Sequence, residues 1–131
     1  MTDNTTEILA SFAAGLTYDA LPADVLNSTK LLILDALACA VAGNLGEETE
    51  QVQAMATALG SSQEASLIGG GRLSLAGATV VNGYLMTAVT MCDVHRPTLT
   101  HITPEVVPPA LAIGERDDVS GRDVLTAVAV G

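Results

Sequence analysis

One segment limits the fold more than any other. Between Leu21-Pro22 and Gly43-Asn44 lie about twenty residues free of proline and glycine, and their second half reads LLILDALACAVA from Leu31 to Ala42. Proline is tolerated at the start of a helix because its missing N–H would be unpaired there. Val25/Leu26, Thr29, Ile33, Leu37 and Ala40/Val41 then recur at steps of three and four, the period of a helix face. Apolar residues wrap nearly all round the second half, which predicts a buried central helix from about Pro22 to Ala42. The uninterrupted run spans only 12 residues and carries Asp35. A bilayer needs about 20, so no membrane span is expected.

The composition agrees with a helical domain. Of 131 residues, 20 are Ala, 17 Leu and 13 Val, whereas the aromatics are only Phe12, Tyr18 and Tyr84. Ala and Leu are strong helix formers, and small side chains let helices approach closely. The length fits one domain, here residues 1–131. At 49% hydrophobic and a mean hydropathy of +0.44, the chain is no disordered segment, and some of its apolar surface is expected to be covered from outside. Five basic residues against 15 acidic ones give a net charge of −10. That balance excludes nucleic acid as a partner and disfavours anionic membranes. Cys39 and Cys92 lack disulfide-style spacing, Cys39 reads as core, and the start MTDNTTEILASFAAGL lacks a signal peptide's cationic head. A soluble cytoplasmic protein is expected.

Capping residues and glycines set the remaining elements. Asn4 with Glu7 predicts a capping box opening a helix that Gly15 stops. Glu47, Glu48 and Glu50 suit the first turn of a helix from 47 to Leu59, where acidic groups oppose the dipole. Ala65–Ile68 is extended and leads to the turn Gly69-Gly70-Gly71, and Ser74 caps a helix from Leu75 to about Thr90. Pro104 begins another helical run, which Pro108-Pro109 would kink outside its first turn. Residues 114–118 read as a solvated loop. Ser120 caps a last helix, Gly121–Val130, and the chain stops within an apolar run, as a truncated sequence would. The expected fold is all-α, a multi-helix, bundle-like domain.

Chemistry concentrates between Met91 and Pro109, where Cys92, Asp93, His95, Arg96, Thr98, Thr100, His101, Thr103 and Glu105 fall together. Loops between rigid helices are common carriers of function. Imidazole titrates near neutrality and is tuned by a nearby carboxylate. Three readings of His95 and His101 stand open: surface or capping residues, general acid/base groups facing one cleft, or a metal site with Cys92 and Asp93. The spacing C-D-x-H-x5-H matches no defensible zinc pattern. Arg96 is a candidate for pairing with a substrate carboxylate. Elsewhere, the glycine stretch before Arg72 lacks the Lys-Ser/Thr of a P-loop; it reads as a turn from which Arg72 can reach an anion. Asp35 and Asn82 read as structural polar contacts, and Met55, Met86 and Met91 as core filler.

Four stretches, in order, resemble one family. They are Leu21-Pro22 followed by Lys30-Leu-Leu-Ile-Leu-Asp35-Ala-Leu and Ala42-Gly43; Ala78-Thr-Val-Val-Asn82-Gly83; His101 with Pro108-Pro109-Ala110-Leu-Ala112 and Glu115; and Ser120-Gly121 through Gly131. Together they resemble the MmgE/PrpD family from about Leu16 to Gly131. The resemblance implies the N-terminal helical part of a larger two-domain enzyme, commonly a homodimer, that acts beside a carboxylate with no metal and no organic cofactor. Its members include 2-methylcitrate dehydratase, cis-aconitate decarboxylase and an imino-dicarboxylate epimerase. The implied function is a cofactor-free lyase, dehydratase-like, acting on a small di- or tricarboxylate. Epimerase or decarboxylase chemistry is an alternative, as is a divergent non-catalytic helical interaction domain. The family loop commonly reads D-x-D-D-T, a gap, then H-P. Asp93 matches its middle aspartate and His101 its histidine, Met91 and Val94 replace the other acids, and His95 stands where threonine is usual. The candidate catalytic residues are therefore His101, Asp93 and His95, with Arg96 as candidate substrate binder.

Overall fold

The structure, a computed structural model, describes residues 4–131. In chain order the elements are α1 (Thr5–Gly15), a 3₁₀ turn (Tyr18–Ala20), α2 (Ala23–Gly43), α3 (Thr49–Thr57), β1 (Ala65–Ser66), β2 (Arg72–Leu73), α4 (Leu75–Thr87), α5 (Thr103–Arg116) and α6 (Gly121–Val130). The all-α expectation holds. The strands form a small antiparallel ribbon, with Ala65 opposite Leu73 and Ser66 opposite Arg72. Gly69, Gly70 and Gly71 close it at φ +107°, +124° and +91°, angles that side chains with a Cβ rarely adopt.

The central helix is α4, not α2. It buries Gly77, Ala78, Val81, Asn82, Leu85 and Met86, and α2, α3 and α5 all pack on it. Helix α2 contributes Ala36 and Ala40 to the shared core, with Ala56 from α3 and Val107 from α5. Its expected stripe does face inward, except for Val41. That residue joins Leu31, Leu34 and Leu45 on the open side, at 62%, 66%, 64% and 89% exposure. With the exposed Ala38 between them, these positions step by three and four, an apolar seam of the kind that packs on another helix. Hydropathy read round α2 reports how much apolar surface it carries, and only packing decides how much is covered.

Helix α2 as a whole is also long and apolar enough to cross a membrane by length and composition, with 22% of its most apolar stretch buried; the shorter run read from sequence understated it. An aspartate near a bilayer centre costs about 2.5–3.5 kcal/mol, and Asp35 lies mid-helix, which favours protein over lipid as the cover.

Small residues fix the close crossings. A Cβ built on Gly43 would stand 2.0 Å from the Leu85 carbonyl oxygen, so α2 and α4 meet backbone to backbone. Gly83 lies beside Pro104, whose carbonyl oxygen would be 3.1 Å from an added Cβ. That carbonyl has no helical N–H to accept from, because residue 108 is proline. Pro108 and Pro109 sit inside α5 rather than in its first turn, and the helix continues through them. It also runs on to Arg116, where the sequence predicted a loop from 114. Burial of Gly114 and the pairing of Glu115 described below hold that last turn in place.

The ends differ in detail from expectation. Ser74 accepts from the Gly77 N–H at 3.2 Å, and Ser120 with Asp123 forms a complete capping box. Asn4 precedes α1 as predicted but makes no cap bond to its backbone; its amide instead donates to Glu7 at 3.5 Å. Gly15 is the last residue of α1, and the chain leaves through Leu16 in extended conformation rather than through a left-handed glycine. Helix α1 buries nothing, leaving Ile8, Leu9 and Phe12 exposed. Helix α3 starts at Thr49 instead of 47, since the Thr49 hydroxyl donates to the Gly43 carbonyl at 3.0 Å and Glu48 accepts from the Tyr84 hydroxyl at 3.0 Å. Of the three methionines expected in the core only Met86 is there; Met55 and Met91 are 55% and 76% exposed. The 3₁₀ turn is tied to α6 by Arg122, which pairs with Asp19 and lies 4.2 Å over the Tyr18 ring.

These crossings generate a paired prediction. Gly43→Ala forces α2 off the Leu85 carbonyl and should destabilise the protein by about 1–3 kcal/mol or more, as overpacking does. Gly15→Ala meets nothing within 4 Å and should leave stability unchanged or raise it by about 0.5–1 kcal/mol. Urea unfolding midpoints of the two variants check both signs.

Candidate functional site

The 91–103 segment links α4 to α5 and is built as a short ribbon. The chain leaves α4 through Thr90, at φ +53°. The His95 N–H donates to the Thr100 carbonyl at 2.8 Å, and the Thr98 N–H donates to the His95 carbonyl at 3.1 Å. His95 and Thr100 thus bridge antiparallel around a tip formed by Arg96, Pro97, Thr98 and Leu99. Arg96 is exposed there.

The two histidines belong to different local structures. His95 Nδ1 lies 2.7 Å from the Thr98 hydroxyl, inside the tip. His101 Nδ1 lies 2.6 Å from the main-chain carbonyl of Asp93 and 3.4 Å from Cys92 Sγ. His101 lies one residue past the Thr100 bridge, outside the paired residues. A carbonyl oxygen only accepts, so Nδ1 of His101 carries the hydrogen, and in the neutral ring Nε2 keeps its lone pair. His101 is exposed, which leaves that nitrogen open to a reactant.

Asp93 orients His101 through its main chain. Its carboxylate is engaged elsewhere: Oδ1 accepts the Thr103 N–H at 3.0 Å and also the Thr103 hydroxyl. This caps the first turn of α5, whose flanking Ile102 has no side chain able to do so, and places a negative charge at the positive end of the helix dipole. Burial pushes the Cys92 thiol up from its ordinary value, with Asp93 and Asp35 adding to the effect; Cys39 is raised by burial first and then by Asp35, Cys92 and Asp93. Both stay protonated at neutral pH and are poor nucleophiles. The shared influences set the middle of α2 beside the loop. Among the described residues no group of three or more His, Cys, Asp and Glu side chains is arranged to hold a metal, so the metal reading of the loop has no convergent ligand set to rest on.

A second polar cluster was legible only in pieces. Arg72 does reach an anion, the carboxylate of Glu115. Glu115 also accepts from the Ser66 N–H at 2.7 Å and the Ser66 hydroxyl at 2.8 Å. Asn82, 2% exposed, takes the Ile68 N–H at 2.9 Å and donates to the Ser66 carbonyl at 3.0 Å, so α4 and α5 grip the ribbon from two sides. A cleft of about 450 Å³ opens beside it, lined by Ser66, Asn82, Glu115, Val119 and Val124 among others. Thr103 was counted in the polar segment without a role; the structure makes it the first residue of α5 and the donor to Asp93.

An all-helical domain with a histidine-bearing loop between two core helices is the class defined here. A profile of the MmgE/PrpD N-terminal domain matches residues 7–131, and the chain belongs to the MmgE/PrpD family. It is 30% identical over 136 residues to a cis-aconitate decarboxylase-like protein, oryM, of Aspergillus oryzae, covering 98% of this chain and 28% of that protein. It is 30% identical over 132 residues to a cis-aconitate decarboxylase of Aspergillus terreus, covering 96% of this chain and 27% of that one. The chain thus spans about a quarter of the length of these relatives. No solved structure matches it.

Two predictions follow from the polar cluster. The Ser66 N–H first, then the Ser66 hydroxyl and Arg72, hold the Glu115 carboxyl below its ordinary value of 4.5. A carboxyl with a lowered folded pKa adds stability above its unfolded value and loses it as pH falls through the folded one. Glu115→Gln should therefore destabilise at neutral pH and flatten the fall in stability below about pH 4.5, read from thermal midpoints across the acid range. Asn82→Leu removes the partner of the part-buried Ile68 N–H and Ser66 carbonyl and should cost about 1–3 kcal/mol in all, with the loss visible in urea unfolding.

Proposed function

We propose that this chain supplies the histidine-bearing part of a cofactor-free lyase site that acts beside a carboxylate on a small di- or tricarboxylate. The observation that carries the reading is the Nδ1–H of His101 donated to the Asp93 carbonyl at 2.6 Å, which leaves an exposed ring nitrogen free to take or give a proton. Dehydration requires a base for the proton alpha to the carboxylate and an acid for the departing hydroxyl. Decarboxylation leaves an electron pair on carbon as CO₂ departs, and that carbon must then be protonated. The neutral imidazole, through Nε2, serves as the base in the first course, and the protonated imidazolium gives the Nε2 proton to carbon in the second. The names of the Aspergillus relatives favour a cis-aconitate-like substrate and decarboxylation over 2-methylcitrate and dehydration. Arg96, exposed on the ribbon tip, is the proposed partner of a substrate carboxylate. A tricarboxylate carries about three charges and needs several preorganised donors, so further cations from outside these residues belong to the site.

The proposed setting is a cytoplasmic homodimer. Two free cysteines suit a reducing compartment, and the apolar seam of α2 with the exposed face of α1 suits burial against protein. A second reading, a helical interaction domain without catalysis, is favoured by two features of the loop. Met91 stands exposed where the family loop has its first aspartate, and the carboxylate of Asp93 is occupied in capping α5.

The test is turnover of cis-aconitate, followed by CO₂ release, and of 2-methylcitrate, followed by alkene absorbance, by a two-domain enzyme that carries this chain as its N-terminal part; the 131 residues alone should be inactive. His101→Ala should lower kcat/KM by about 10²–10⁴-fold, the range for a general acid/base group, and His95→Ala by far less. Equal small effects in stably folded variants, or no turnover of any small carboxylate, would favour the interaction domain.

A further inference from the structure

We infer that Thr103 is a positioning residue for His101, acting through Asp93 to fix which imidazole nitrogen carries the hydrogen; the catalytic consequence rests on the role proposed above for His101. Thr103 is 2% exposed and opens α5. Both its N–H and its hydroxyl end on Asp93 Oδ1. This fastens the Asp93 side chain to the start of a core helix, and the same residue's main-chain carbonyl then receives the His101 Nδ1–H. The linkage runs from α5 to Thr103, to the Asp93 carboxylate, to the Asp93 main chain and to the imidazole. No other described group is given to His101 Nδ1 except Cys92 Sγ at 3.4 Å, a weak partner. Without the anchor, the Asp93 carbonyl is free to turn away. The ring then reverts toward the Nε2–H form that neutral imidazole otherwise prefers, and the outward nitrogen changes from acceptor to donor.

The linkage is read directly by ¹⁵N–¹H correlation of the His101 ring at a pH where the imidazole is neutral, alongside kinetics of the same variants. The wild-type protein should show the Nδ1–H tautomer. Thr103→Val keeps the size and the N–H but removes the hydroxyl, and should bring in the Nε2–H form; Thr103→Ser should restore the wild-type pattern. Asp93→Ala, which keeps the main-chain carbonyl but removes the carboxylate that Thr103 holds, should shift the tautomer the same way and serves if Thr103→Val does not fold. In turnover, Thr103→Val should lower kcat by up to about 100-fold, the scale of a small misplacement, with KM little changed. A wild-type ring in the Nε2–H form, or a Thr103→Val ring indistinguishable from wild type, overturns the inference. A tautomer shift without any change in turnover upholds the positioning and removes His101 from the chemistry.

Discussion

The fold depends on one close approach. At Gly43 the backbone of α2 lies against the backbone of α4 at Leu85, with no room for even a methyl group. Interiors are packed too densely to absorb a misfit there. The alanines that follow from this crossing, Ala36 and Ala40 on α2, fill the narrow space beneath it and are fully buried. The position of α4 then fixes the rest, because α3 and α5 pack on the same helix. A core with few aromatics is possible only where helices come this close, since small side chains bury little area each and must make it up in contact between backbones.

Polar pins do what large side chains do elsewhere. Asn82 fastens the β-ribbon to α4, and Glu115 fastens it to α5 while taking up Arg72. Among the described residues no buried side-chain nitrogen or oxygen lacks a partner. This matters because a network inside a protein rigidifies only when each member is satisfied. The segments of the sequence that resemble the MmgE/PrpD family take on physical meaning here. Ala42-Gly43 is the helix crossing, Asn82-Gly83 the ribbon pin together with the approach to Pro104, and Glu115 the second pin.

Sequence reading recovered the six helices because their signals are local: capping serines, a proline at a start, steps of three and four. It misplaced the centre of the molecule because the apolar run of α2 is conspicuous, whereas α4, with Thr79, Val80 and Val81, looks a poor helix by propensity. Burial is a tertiary property, and Gly and Ala on α4 declare it only when the partner helix is seen. The loop predicted at 114–118 failed for a related reason. Gly114 and the charges after it read as solvated, yet Glu115 has partners 49 and 43 residues away.

At the candidate site the sequence yielded the residues without their connections. Asp93 beside two histidines reads as a carboxylate orienting an imidazole, and the orientation exists, but the main-chain carbonyl supplies it. The carboxylate works one step further back, at the N-terminus of α5, where a helix dipole and two donors from Thr103 hold it. The division has a functional logic. A main-chain carbonyl can only accept, so it fixes Nδ1 of His101 as the donor. The outward nitrogen is thereby kept as an acceptor, as the role proposed above for His101 requires. The negative charge that does the anchoring is meanwhile kept against a helix terminus.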